Sequence, residues 1–180
     1  LNPAYRVIFD KENQIQIGDN IDNISSQFEK IEKGSGEKLK KFLKESKENY
    51  DLAVTNMLYK MPGKSIFELI NSKTILKVNL FLSNIKKDIE KRFKDLRLRS
   101  VLQFPVLFLG AKPSNTPAFY NFMNYADFGL GTWQPKNGFY DVVKAMVNIA
   151  EEHGVNFRVN SENKKIEIEK KQFKGIYVNG

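Results

Sequence analysis

The sequence predicts an α+β fold: a helical region flanked by short mixed or antiparallel strands. Three observations point there. At one end Tyr5–Phe9 and Gln14–Ile17, and at the other Lys165–Glu169 and Phe173–Val178, read as short strands bounded by polar turns. Between these ends apolar residues recur every three or four positions, the spacing of helices packed on one side. With 180 residues, 41% hydrophobic, 14 Phe and 7 Tyr, the chain can bury a real core.

The first two strands are joined by the polar turn Asp10-Lys11-Glu12-Asn13. Asn20 is placed to cap a helix whose Ile21, Ile24, Phe28 and Ile31 share a face, and Gly34-Ser35-Gly36 ends it. A second helix is expected over Glu37–Tyr59, striped by Leu39, Phe42, Leu43, Tyr50, Val54, Met57 and Leu58 and stopped by Met61-Pro62-Gly63. Lys64–Lys94 reads as a short helix capped by Ser65 and then a longer one. The longer helix carries Ile75, Val78, Leu82, Ile85 and Ile89 on one face and Lys73, Lys77, Lys87, Lys91 and Lys94 on the other. Such a helix either packs on a core or rests in a lipid interface.

Asp95–Lys112 is strongly apolar after its first turn, and Pro105 is expected to kink it. Pro113 and Pro117 bracket a loop, with Pro117 opening a helix through Tyr125. Asp127–Pro135 reads as a glycine-punctuated turn and strand around Trp133. After Gly138 comes a helix striped by Phe139, Val142, Val143, Met146, Val147 and Ile149, closed by His153-Gly154. Val155–Val159 reads as one more strand before the final hairpin.

Composition narrows the chemistry. There is no cysteine and a single histidine, which removes disulfides, thiolate nucleophiles and most histidine-based metal sites, so no metal is expected. The net charge of +8 comes mostly from lysine on helices whose other face is apolar. A solvated surface and attraction to an anionic membrane both accommodate it. Nucleic acid is not expected, since no nucleic-acid-binding motif is visible. The cytoplasm is the expected location, with the inner face of the membrane open as a peripheral site. No secretory signal or membrane-spanning run is visible, and the first residue is Leu, which fits a piece cut from something longer.

The run Gly129-Leu130-Gly131-Thr132-Trp133-Gln134-Pro135-Lys136-Asn137-Gly138-Phe139-Tyr140 resembles the glycine, tryptophan and proline turn of the phytoene desaturases, FAD-dependent carotenoid desaturases. The helix Asp141–Glu152 and the His153-Gly154-Val155 connection continue the resemblance. Upstream, Leu107–Pro113 and Thr116–Tyr120 are similar to the family's apolar Leu-Gly-x-x-Pro segment and its following helix, as is Tyr5–Phe9 to the strand entering its substrate domain. Asn137 stands where the family usually has glycine, Lys170-Lys171-Gln172 replaces a glycine-containing turn, and Asn163 replaces an apolar residue.

The resemblance implies an internal segment of a larger two-domain flavoprotein, with 1–140 binding substrate, in contact with a membrane surface in one reading, and 141–180 belonging to the FAD-binding domain. It implies removal of hydrogen from a carotenoid C–C bond, with hydride passing to flavin. Asp95 and Arg99, four apart and able to pair on one helix face, are the implied catalytic residues. Phe104, Phe108, Phe119, Tyr120 and Trp133 are the implied substrate contacts, and Lys136, Asn137, Gly138 and Asn163 the implied cofactor contacts. None of the 11 glycines forms a Gly-x-Gly-x-x-Gly turn, so the remainder of the polypeptide is expected to hold most of the FAD and the segment alone to be inactive. Two other readings compete: a stand-alone module binding a hydrophobic ligand or lipid, and an adaptor on a membrane surface.

Overall fold

The computed structural model describes residues 1–58 and 77–178, with the chain divided into two compact units, Leu1–Trp133 and Gln134–Gly180. The architecture is α+β, as the sequence predicts.

In the first unit β1 (Tyr5–Ile8) pairs antiparallel with β2 (Gln14–Ile17), Tyr5 opposite Ile17 and Arg6 opposite Gln16. Their turn is closed by Asp10, whose Oδ1 accepts from the backbone N–H groups of Glu12 at 2.9 Å and Asn13 at 2.8 Å. These bonds, with one from the Asn13 side chain, hold the Asp10 carboxyl below the usual aspartate range. Helix α1 (Ile21–Ile31) begins where expected, Asn20 accepting from Asn23 N at 3.0 Å. Ile15 and Ile17 bury themselves with Ile24 and Phe28 of α1.

Helix α2 (Ser35–Tyr50) starts earlier than its sequence pattern suggests. Of Gly34-Ser35-Gly36 only Gly34, at φ +81°, breaks the chain; Ser35 and Gly36 form the first turn of α2. The reason is Glu29, whose carboxylate accepts from Gly34 N at 2.7 Å and Gly36 N at 3.0 Å. After Tyr50 the helix widens into a π-helix over Asp51–Leu58, and the proposed stop at Met61-Pro62-Gly63 lies outside the described residues. So do Ser65, Lys73 and Ile75.

Over the described residues the long lysine-faced helix is two helices, α3 (Val78–Leu82) and α4 (Ile85–Arg92). Ser83 and Asn84 are extended between them. Asn84 caps α4 by accepting from Lys87 N at 2.9 Å, and Ser83 O accepts from Ala118 N at 2.8 Å. Of the described residues of the expected stripe, Ile85 and Ile89 are buried, while Val78 and Leu82 are exposed. Lys77 does not lie on a free basic face either, since its ammonium donates to Asn49 Oδ1 at 2.6 Å.

Helix α5 (Leu96–Gln103) is followed at Pro105 by a tighter 3-10 helix over Phe104–Leu109, which Gly110 ends at φ +68°. A second 3-10 turn, Ala118–Asn121, leads into α6 (Phe122–Phe128). Around Trp133 there is no strand. The main core joins the β1–β2 ribbon to α1, α2, α4 and α5. Phe93 sits at its centre, meeting Phe28 and Phe42 edge-to-face with centroids 6.1 and 6.3 Å apart.

The second unit holds α7 (Tyr140–Glu152) and the hairpin of β3 (Asn163–Glu169) with β4 (Gln172–Val178). Val155–Val159, expected as a strand, is not one and pairs with neither strand of the hairpin. His153-Gly154 ends α7 as expected, Gly154 at φ +83°. The apolar stripe of α7 is bare: Val142, Val143, Met146 and Ile149 are all exposed, Met146 at 66%.

Candidate functional site

The first unit carries an open apolar cleft of about 780 Å³ between β1 and the chain from α5 through the 3-10 helix. Tyr5, Arg6, Val7 and Ile8 form one wall; Val101, Phe104, Leu107 and Phe108 form the other, with Pro113 at the margin. Strand alternation puts Tyr5 and Val7 inward. On the facing wall, the tight turn at Pro105 presents Phe104 and Phe108 together, rings tilted at 71° with centroids 5.2 Å apart. Phe104 also meets Tyr5, 5.7 Å between centroids. Phe108 is 69% exposed. Such a surface binds hydrocarbon by burial and has few groups to orient a polar ligand.

One polar pair anchors this wall from behind. The Tyr5 hydroxyl donates to Asp127 Oδ2 at 2.5 Å, across 122 residues of chain. Burial, then the carboxylate itself, pushes the Tyr5 phenol up. Burial likewise raises the Asp127 carboxyl, with the Tyr5 hydrogen bond pulling it part of the way back. Nothing in the sequence links these two residues; the only signal is Tyr5's inward place in the alternation.

The expected pair of Asp95 and Arg99 does not form. Asp95 is the N-cap of α5 and binds Arg97 instead, with Oδ1 accepting from Arg97 N at 2.8 Å and Oδ2 from its guanidinium at 2.8 Å. A cap carboxylate lies beside the helix's first free N–H groups, which favours position two over position four. The Arg97 side chain leads the causes that hold the Asp95 carboxyl below its usual range. Arg99 turns back and donates through Nε to Phe93 O at 2.7 Å. The junction is tied to α1 by Glu32, whose Oε2 accepts from Lys94 N at 2.7 Å and Asp95 N at 2.9 Å.

The expected aromatic contacts separate. Phe104 and Phe108 line the cleft. Phe119 is only 4% exposed and stacks on Phe81 with centroids 4.5 Å apart, so packing already covers its ring. Tyr120 leans on Phe122 with centroids 5.3 Å apart. Trp133 is 84% exposed and donates Nε1–H to Leu130 O at 2.9 Å.

In the second unit Lys136, Asn137 and Gly138 precede α7. The left-handed residue of their turn is Gly138, at φ +97°, so Asn137 needs no positive φ where the resemblance leads one to expect glycine. Asn163 pairs with Val178 at the start of β3. A Cβ at Gly138 would meet nothing within 4 Å. Among the described residues, no helix is long and apolar enough to cross a membrane.

No protein-family profile matches the chain. Curated relatives do. It is 30% identical over 175 residues to the carotenoid 3,4-desaturase of Haloarcula japonica, covering 96% of this chain and 35% of that protein. It is 30% identical over 158 residues to the phytoene desaturase of Phycomyces blakesleeanus, covering 85% and 27%. To the zeta-carotene-forming phytoene desaturase of Myxococcus xanthus it is 23% identical over 181 residues, covering 99% and 35%. The chain therefore spans about a third of these relatives or less. Along nearly its whole length it is homologous to the carotenoid and phytoene desaturases.

Proposed function

We propose that this chain is an internal segment of an FAD-dependent carotenoid desaturase, a longer polypeptide that introduces C=C bonds into a polyene. The observation that carries this reading is the aromatic-lined cleft, found in a chain whose relatives are desaturases. A polyene offers no hydrogen-bonding groups, so its site gains affinity from buried apolar area, about 25 cal/mol per Å². Phe104 and Phe108 are the residues of this chain that touch it. Asp95 and Arg99 act one step back, fixing the start of α5 so that the wall keeps its place.

Flavin, when bound, accepts hydride; its contacts come mainly from sequence beyond these residues. The bare stripe of α7 supports assigning 141–180 to that flavin-binding half, since an amphipathic helix left unpacked calls for a partner. The protruding Leu107, Phe108 and Leu109 supply a route for an insoluble substrate, by resting the cleft mouth on a membrane surface.

The test is a polypeptide of the relatives' length containing these residues. It is expected to show a flavin absorption spectrum and to convert phytoene into more unsaturated carotenoids. In it, Phe108→Asp should lower turnover at least about tenfold by placing a charge in the cleft, with the flavin spectrum intact. A protein without flavin that still binds hydrophobic dyes through the cleft would instead be a hydrophobe-binding module.

A further inference from the structure

The two edges of the β1–β2 ribbon are treated differently. On the β2 side, Gln16 N donates to Gln27 Oε1 at 2.9 Å and Gln16 O accepts from Gln27 Nε2 at 2.9 Å. The amide of Gln27 thus occupies the outer edge as another strand would. Because Gln16 spends both backbone groups there, it turns none toward β1. Residues opposite one another in an antiparallel pair alternate between bonded and non-bonded. Arg6 lies opposite Gln16 and Ile8 opposite Gln14, so the N–H and C=O groups of Arg6 and Ile8 also point away from the ribbon, on the other side. Phe9 N donating to Asn13 O at 2.9 Å fits the same alternation.

That other side is the cleft. All four residues of β1 line it, which a strand does when its edge faces the space. The wall opposite is mostly apolar, through Val101, Phe104, Leu107 and Phe108, with Ser100 and Gln103 its two polar side chains. A hydrocarbon filling this part of the cleft would leave the backbone groups of Arg6 and Ile8 without the hydrogen bonds that water gives them.

We infer that β1 takes a third strand: an extended segment of the same polypeptide, outside these 180 residues, with alternate apolar side chains facing Phe104 and Phe108. The inference rests on the reading that the chain is part of a desaturase-length protein, since it spans 35% of the Haloarcula relative. Main-chain bonds to Arg6 and Ile8 would give affinity, and the aromatic wall would select the side chains. The polyene then shares the cleft with that strand and still touches Phe104 and Phe108.

Amide hydrogen exchange decides it, measured on the 180-residue chain and on the desaturase-length polypeptide. The N–H groups of Arg6 and Ile8 should exchange rapidly in the chain, while Tyr5 and Val7 stay protected. In the long polypeptide Arg6 and Ile8 should slow at least about 100-fold. Ile8→Pro supplies a second readout. It removes an N–H that β2 does not use, so it should leave the melting temperature of the chain nearly unchanged and lower that of the long polypeptide. Protection of Arg6 and Ile8 in the chain at every concentration overturns the inference, as does rapid exchange in the long polypeptide. Protection that rises with concentration alongside dimer formation assigns the edge to a second copy and overturns it too. Protection without flavin or carotenoid conversion would sink the enzymatic reading and leave this one standing.

Discussion

Two carboxylates give the molecule opposite responses to pH. Burial works against ionising Glu32, but hydrogen bonds from Asp95 N, the Lys38 ammonium and Lys94 N outweigh it and hold its pKa low. A lowered folded pKa means stability that is present above the ordinary glutamate value and is lost as pH falls through the folded one. Glu32→Gln should therefore cost about 1–3 kcal/mol at neutral pH, read as a lower urea midpoint, with the gap closing in acid. Asp127 carries the reverse sign. Burial raises it, so its favourable contribution belongs below the ordinary aspartate range and fades as pH rises through the folded value. Asp127→Asn, which keeps a carbonyl acceptor for Tyr5, should gain on the parent protein over that window. An unchanged pH profile in either variant would remove the assigned role. At this scale the sequence discloses what is local. Asn20 and the Asp10 turn act within three residues and were readable. Glu32 works across 62 and 63 residues and Tyr5 across 122, beyond any spacing rule.

Among the elements, the hairpin of the second unit is strained at its turn, where the resemblance leads one to expect glycine. Lys170 and Lys171 form its two-residue loop at φ 49° and 64°, a left-handed conformation that costs a side-chain-bearing residue about 1–2 kcal/mol. Replacing the pair by Asn-Gly should protect the β3–β4 amides from hydrogen exchange several-fold. If protection is unchanged, the loop does not limit the hairpin. The helices show what periodicity conveys and what it hides. Ile85 and Ile89 continue the phase of Val78 and Leu82, so a stripe counted by spacing runs through Ser83 without a gap. The break comes from a tertiary bond, Ala118 N to Ser83 O, and its one local sign is Asn84, a capping residue. Val155–Val159 failed as a strand for a related reason. Its alternation is real, but a strand needs a neighbour, and no described residue supplies one.

On the scale of the whole molecule, one buried ring ties most of the first unit together. Phe93 touches both Phe28 of α1 and Phe42 of α2, while Arg92 covers the outer face of Phe42 at 5.4 Å and binds Glu45 at 2.7 Å. Phe93→Ala should cost about 3–5 kcal/mol in chemical denaturation, against little change for Phe108→Ala. Equal effects would mean that the cleft wall, not this junction, organises the core. The α+β class and the apolar cleft segment were legible from composition and spacing. Which aromatics face solvent was not, because Phe104, Phe108 and Phe119 look alike in sequence and differ only in what folds over them.

The side-chain amide of Gln27 leaves the two-stranded ribbon with handed growth. One flank is sealed by a group that belongs to the same fold and never leaves it; the other stays receptive. Whatever enlarges this sheet must begin at Tyr5–Ile8, whether a legitimate addition or a stray neighbour in a crowded solution.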